Sequence, residues 1–182
     1  MDDKDLLDRY IAGDESALTV LVRQYQKELY AFVCRHDENM DDAADLTQKV
    51  FVNVFLKAEQ FNGTSSFKTW LYQIAVNQCK NHFRSKDRQR IEDVELEKLP
   101  LCVEDDKVQK LVGNQEQAML RSAIDNLPEK QRLTVRLRLY QECTFAEIAD
   151  IMSSSVGTAK AHYHHAVTTL RKTLSEDQYA IH

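Results

Sequence analysis

The chain has 182 residues, with 24 basic and 29 acidic side chains, 43% apolar residues, four glycines, two prolines and four cysteines. That length suits one large domain or two small ones, and the apolar share fills a core, which excludes a wholly disordered chain. No run approaches the roughly 18 apolar residues of a membrane span. The acidic start, Met1-Asp-Asp-Lys-Asp5, lacks the basic and apolar stretches of a secretory signal, so the expected compartment is the cytoplasm. Cys34, Cys79, Cys102 and Cys143 are scattered with no C-x-x-C spacing, which argues for reduced thiols rather than a disulfide framework. Scarce glycine and proline, with abundant Leu, Ala, Gln, Lys and Glu, predict helices throughout.

Apolar residues recur at intervals of three and four along the first half, the period of a helix with one buried face. Leu6, Leu7, Tyr10 and Ile11 predict a short helix that stops at Gly13. Asp14 can cap a second helix through Leu18, Leu21, Val22, Tyr25, Leu29, Phe32 and Val33. A third starts near Asn39 and buries Ala43, Leu46, Val50, Val54 and Ala58. Phe61-Asn-Gly-Thr-Ser-Ser66 is turn chemistry, with Ser65 or Ser66 capping a fourth helix whose apolar side is Phe67, Leu71, Ile74, Ala75, Cys79 and Phe83. From Ile91 to Gly113 the period fades, acids cluster and Pro100 interrupts, as in a loosely structured linker.

A second helical block begins near Asn114 with Ala118, Met119, Ser122, Ile124 and Leu127. Pro128 then suits the first position of a helix holding Leu133, Val135, Leu137 and Leu139. Thr144-Phe-Ala-Glu147 is a capping box that opens a short helix with Phe145, Ile148, Ala149 and Ile151. After Met152-Ser-Ser-Ser155 a last helix runs from about Val156 to Leu174. A short capped helix, a tight turn and a longer helix form either a helix-turn-helix, whose second helix enters a major groove, or an ordinary helical hairpin. In the first case Val156 anchors the second helix. Gly157, Thr158, Lys160, Ala161 and His162 face outward, and amides near Ser155 can meet a phosphate.

Charge is unevenly spread. Residues 1–62 hold 7 basic and 13 acidic groups, 63–90 hold 6 and 1, 91–117 hold 3 and 8, and 118–182 hold 8 and 7. A protein that binds nucleic acid unaided is usually basic as a whole. Here one basic stretch lies between acidic ones, as expected for a solvated helix face or for a local phosphate contact on a protein that gains most of its affinity elsewhere. Trp70, Gln73, Asn77, Lys80, Asn81, Arg84 and Arg88 share one face of the fourth helix. Amides, cations and a ring in one row suit a single strand, although Trp70 by itself equally suits the core.

Five motifs in order carry a resemblance: Asp41-Asp-Ala-Ala-Asp-Leu-Thr-Gln-Lys-Val-Phe51, Trp70-Leu-Tyr-Gln-Ile-Ala-Val-Asn77, Leu127-Pro-Glu-Lys-Gln-Arg132, Phe145-Ala-Glu-Ile-Ala149 and Val156-Gly-Thr158. Together they resemble a bacterial RNA polymerase sigma factor of the extracytoplasmic-function (ECF) group, which keeps only regions 2 and 4. The resemblance implies an all-α chain of two small helical domains. These are region 2 over 1–90 and a region 4 helix-turn-helix domain over 114–182, joined by a flexible acidic linker over 91–113. It implies docking on the clamp helices of core RNA polymerase through Asp45, Leu46, Gln48 and Phe51. It implies capture of an unpaired minus-ten base by the loop Phe61, Asn62, Gly63, Thr64, Ser65 and Ser66, with Trp70, Gln73, Asn77, Lys80, Asn81 and Arg84 along the strand. Readout of the minus-thirty-five element falls to Thr144, Ser155, Gly157, Thr158, Lys160, Ala161, His162 and His165. Promoter DNA and an anti-sigma factor are the other implied partners.

Two departures from the family pattern alter that expectation. Where the family usually has arginines in the recognition helix, this chain has His162, His165 and Val167, so minus-thirty-five readout is expected to be weaker or altered, and stronger at low pH where imidazoles gain charge. Ser153 stands where the family often has glycine, at a cost of about 1 kcal/mol if that residue is left-handed. The histidines do not converge with four ligands, so neither metal nor cofactor is expected. No glycine-rich phosphate loop or nucleophile–base signature is present, so no enzyme is expected either. The remaining rival is a helix-turn-helix regulator that binds duplex DNA without polymerase.

Overall fold

The computed structural model describes residues 2–36, 40–89 and 114–180, and all regular structure among them is helical. The chain falls into two compact units, divided between Val103 and Glu104. The expected linker, 91–113, lies outside the described residues.

In the first unit α1 (Asp3–Ile11) ends at Gly13, whose φ of +100° reverses the chain without a Cβ clash. Asp14 then caps α2 (Glu15–Cys34), accepting from the Ser16 amide at 3.0 Å and from Arg9 Nε at 3.0 Å, so one carboxylate closes the turn from both sides. The Ser16 hydroxyl, then Arg9, hold this carboxyl down to about 2. α3 (Met40–Leu56) and a 3-10 turn (Ala58–Gln60) lead to the loop, and α4 (Phe67–Gln89) follows. Ser66 is the cap, accepting from the Thr69 amide at 3.0 Å.

α2 packs on α1 and α3, while α4 lies against both α2 and α3. That central place explains why α4 buries more than its expected stripe. Leu71, Ile74, Ala75 and Cys79 are buried as expected, but so are Tyr72 and Val76. Tyr72 is fully buried with its ring edge-on to Phe32 at 5.0 Å, and burying a ring of this kind contributes roughly 2–3 kcal/mol. The Phe83 side chain lies outside the described residues.

In the second unit α8 (Val156–Ala180) packs on α5 (Asn114–Asp125), α6 (Glu129–Tyr140) and α7 (Phe145–Ile151). Ala123, Ile124, Leu127, Val135, Ala166 and Leu170 form a core, with Leu120, Tyr163 and Leu174 against it. Pro128 is the N-cap of α6 rather than its first helical residue, so the helix begins one residue later than expected. Ile124, Leu127, Leu133, Val135 and Leu137 are buried as expected, whereas Ala118, Ser122 and Leu139 face solvent, and Ala123 turns inward on α5.

The sequence pattern missed a buried arginine and its ion pair with an exposed carboxylate. Arg136 is 6% exposed and its Nη2 donates to Asp125 Oδ1 at 2.7 Å, while Arg132 Nη1 donates to the Asp125 carbonyl at 2.6 Å. Two arginines of α6 thus hold the last residue of α5. Burial lowers the Arg136 pKa, and the Asp125 carboxylate opposes that shift.

Candidate polymerase and nucleic-acid interfaces

α3 presents the first surface. Asp45 and Gln48 are exposed, as a docking role requires, but Leu46 (3% exposed) and Phe51 (7%) are buried. The helical period turns these two into the core of the first unit, where they hold α3 in place; of the four residues named for docking, Asp45 and Gln48 face outward. The outward row continues through two apolar residues that sequence reading missed, Val52 (48% exposed) and Leu56 (78%). Residues 45, 49, 52 and 56 lie at i, i+4, i+7 and i+11, on one stripe. Exposed apolar side chains at that spacing were the available signal.

The second surface is the loop before α4 and the outer side of that helix. Asn62 Oδ1 accepts from the Thr64 amide at 3.1 Å and from the Thr64 hydroxyl at 2.7 Å, an Asx turn that shapes the loop around Gly63, whose φ is +70°. The Ser66 and Thr69 hydroxyls lie 2.9 Å apart across the helix start. Asn62, Gly63, Thr64 and Ser66 are exposed, whereas Phe61 and Ser65 are half-buried. The Phe61 ring lies 5.1 Å from Trp70 and 6.3 Å from Phe67, and Trp70 lies 6.1 Å from Phe67. Trp70 is therefore half core and half surface, one side on two phenylalanines and the other toward solvent. Gln73 and Lys80 are half-buried and Asn77 and Asn81 are exposed on the same face. The backbone of Arg84 and Arg88 continues α4, but their side chains lie outside the described residues.

The third surface is the α7–α8 pair. Thr144 and Glu147 form the expected capping box, with the Thr144 amide donating to Glu147 Oε2 at 2.7 Å and the Glu147 amide to Thr144 Oγ1 at 3.3 Å. The Thr144 hydroxyl is thus committed to α7. Ser153, in the turn, has φ +50°, the left-handed conformation that the glycine comparison anticipated. Ser155 caps α8, its Oγ accepting from the Thr158 amide at 3.0 Å and lying 2.8 Å from the Thr158 hydroxyl.

Gly157, Thr158, Lys160, Ala161 and His165 are exposed and His162 is half-buried, so the outward face is where it was expected. Val156 does not anchor the helix: it is 42% exposed, and Ala159, fully buried, takes that place. Tyr163 stands 5.5 Å from Phe145, and the Arg138 guanidinium covers that same ring at 5.3 Å, which ties α6, α7 and α8 together behind the outward face.

Among the described residues no three or more His, Cys, Asp or Glu side chains converge as a metal site, and no helix is long and apolar enough to cross a membrane. Comparison with known proteins matches the family description sigma-70 region 2 to residues 21–89 and sigma-70, region 4 to residues 117–170. The RNA polymerase sigma-H factor of Pseudomonas aeruginosa is 32% identical over 181 residues, spanning 94% of this chain and 93% of that one. The ECF RNA polymerase sigma-E factor of Escherichia coli is 32% identical over 171 residues, 87% of each. Two solved structures share the fold. CnrH in complex with the cytosolic domain of CnrY has a TM-score of 0.72 at 19% identity, over 96% of this chain and 98% of that one. The sigma factor RpoE of Bartonella quintana, in complex with the anti-sigma factor NepR, has a TM-score of 0.72 at 22% identity, over 86% and 96%. With both regions matched in order and relatives aligned along nearly the whole length, the chain belongs to the sigma-70 family of RNA polymerase sigma factors, in the ECF group with regions 2 and 4, and serves promoter-specific transcription initiation.

Proposed function

We propose that each surface has one task in initiation. The α3 stripe, Asp45, Gln48, Val52 and Leu56, docks on the clamp helices of core RNA polymerase. The loop 61–66 and the α4 face, Trp70, Gln73, Asn77, Lys80, Asn81 and Arg84, hold the unpaired minus-ten strand. The face of α8 from Gly157 to His165, with Ser155 at its start, reads the minus-thirty-five duplex. Residues 1–90 and 114–182 act as the two binding domains, and 91–113 serves as an acidic tether between them. The site is the cytoplasm, and an anti-sigma partner holds the chain when it is idle, a reading supported by the structural neighbour RpoE, which is in complex with the anti-sigma factor NepR.

The observation that carries this reading is the row of exposed amides on α4 beginning at a loop lined by Phe61 and Trp70. Rings give a stacking platform and amides read an unpaired base edge, a pairing of groups that a solvated helix does not need. Strand capture is binding work with no bond made or broken. Contacts to each flipped base offset an unstacking cost of a few kcal/mol.

Asp45→Arg with Leu56→Asp tests docking without touching the core, which Leu46→Ala or Phe51→Ala would disturb. Binding to purified core polymerase should weaken by roughly a hundredfold, the sum of one reversed charge and one lost apolar contact, with circular dichroism unchanged. Undiminished binding would remove α3 as the docking helix. Submicromolar affinity for duplex DNA without polymerase would replace the whole reading with that of a free-standing regulator.

A further inference from the structure

Helix α1 carries two cations, and the structure uses them differently. Arg9 is spent on the turn to α2, its guanidinium on Asp14 at 2.5 Å. Lys4 is not. Its side chain is exposed and runs along the loop before α4. A Cβ placed on Gly63 would stand 3.4 Å from Lys4 Cε, 3.5 Å from Nζ and 3.7 Å from Cδ. The ammonium therefore sits at the tip of the loop, on a glycine that lets the stem approach. Among the described residues it has no carboxylate partner, although Asp3 and Asp5 flank it in sequence.

The placement is fixed rather than incidental. Asp3, the preceding residue, accepts from Gln24 Nε2 at 2.9 Å and from the Tyr25 hydroxyl. Tyr25 is 7% exposed and packs its ring 5.5 Å from Phe67, the first residue of α4. Burial, and then the Asp3 carboxylate, raise the Tyr25 pKa, so the phenol stays protonated and keeps donating. Leu6 and Leu7, at 2% and 0% exposure, seat the rest of α1. One chain of contacts thus runs from the first turn of α1 through Tyr25 to the foot of α4, and holds Lys4 beside Gly63.

We infer that Lys4 is a further strand-binding residue: its ammonium meets a backbone phosphate of the unpaired strand held by the loop, so the capture site is built from α1 as well as α4. The inference rests on the reading of the loop and α4 as the strand-binding face. It explains why an exposed cation sits at this loop within a segment that is otherwise strongly acidic. A point charge on a flexible stem gives attraction to phosphate without base preference.

The test uses holoenzyme assembled from the full chain and bacterial core polymerase. The probe is a fluorescein-labelled single-stranded DNA of about 12 nucleotides, selected from random sequences on wild-type holoenzyme. Affinity is read by anisotropy across a salt series. Lys4→Met keeps the stem and removes the charge, Lys4→Arg keeps the charge, and Asn77→Ala/Asn81→Ala removes two exposed amides of α4. Lys4→Met should weaken binding about three- to fivefold and flatten the log–log salt slope by about 0.7, with Lys4→Arg close to wild type. Lys4→Met with wild-type affinity and slope, while the amide variant weakens, overturns the role of Lys4 and leaves the strand-binding face standing. Equal losses in both Lys4 variants with an unchanged slope also overturn it, since packing rather than charge would then be responsible. Wild-type binding by every variant overturns the inference together with the reading beneath it.

Discussion

The two units solve the same backbone problem in opposite ways. Each needs residues in the left-handed region. Among the described residues of the first unit these are Gly13 and Gly63, with φ of +100° and +70°. Among those of the second they are Glu142 and Ser153, with φ of +55° and +50°, one on each side of α7. A side chain in that region costs roughly 1–2 kcal/mol. The turn before α2 and the loop before α4 are therefore shaped by residues that adopt their conformation freely. The helix-turn-helix is bent into shape against local preference by its capping box, its shared core and the Arg138–Phe145–Tyr163 cluster. Sequence chemistry dictates one turn and tertiary packing dictates the other.

The chain's single tryptophan, Trp70, lies in the first unit, so its fluorescence follows that unit alone while far-ultraviolet circular dichroism follows both. The largest expected effect attacks what holds the second unit against its strain. Asp125→Ala leaves the buried Arg136 guanidinium without its carboxylate. The cost should be about 2 kcal/mol, below the roughly 3–5 kcal/mol of a fully buried pair because Asp125 is 59% exposed. The circular-dichroism melt should shift down and the Trp70 melt should not. A shift in both would mean that the units do not unfold separately.

Gly13→Ala imposes on the first unit the strain the second already bears. No atom lies within 4 Å of the added Cβ, so the effect is purely conformational, about 1–2 kcal/mol, and visible in the Trp70 melt. An unchanged melt would show that the comparison has no energetic content. Ser153→Gly is the converse. Relief of about 1 kcal/mol, less about half of that for the added freedom of the unfolded chain, should stabilise the second unit slightly in the circular-dichroism melt.

The smallest effect is electrostatic. The folded Asp14 carboxyl lies at about 2, below its ordinary 3.8, so its contribution is complete above pH 4 and disappears as pH falls toward 2. Wild type and Asp14→Ala should differ near neutrality and converge in Trp70 melts below about pH 2. A constant difference down to that pH would place the stabilisation elsewhere than in the charge.

Helix starts were the most legible part of the sequence. Asp14, Ser66 and the Thr144–Glu147 box each cap by local hydrogen bonds, and local chemistry is what a sequence displays. Burial was less legible wherever a helix has more than one neighbour. Tyr72 and Val76 escaped notice because α4 packs on two helices and a one-stripe reading finds only one face. Arg136 escaped because its burial depends on Asp125, eleven residues away on another helix. On α3 the motif named Leu46 and Phe51 together with Asp45 and Gln48, but a motif records which residues recur and not which way they point. Only the packed helix separates the inward pair from the outward one and adds Val52 and Leu56.

At the packed faces of α7 and α8 stand two alanines, Ala149 at 3% exposure and Ala159 at 0%, and the residues around Ala159 on the outer side owe nothing to the core. A Cβ on Gly157 would meet only the Ser155 hydroxyl, at an ordinary 3.7 Å. Positions 157, 160 and 161 can therefore be rewritten by mutation with little effect on folding, and new side chains there reach solvent but never the interior. Whatever this outer face binds, its side chains are thereby uncoupled from survival of the fold, and its specificity can change while the core beneath it stays the same.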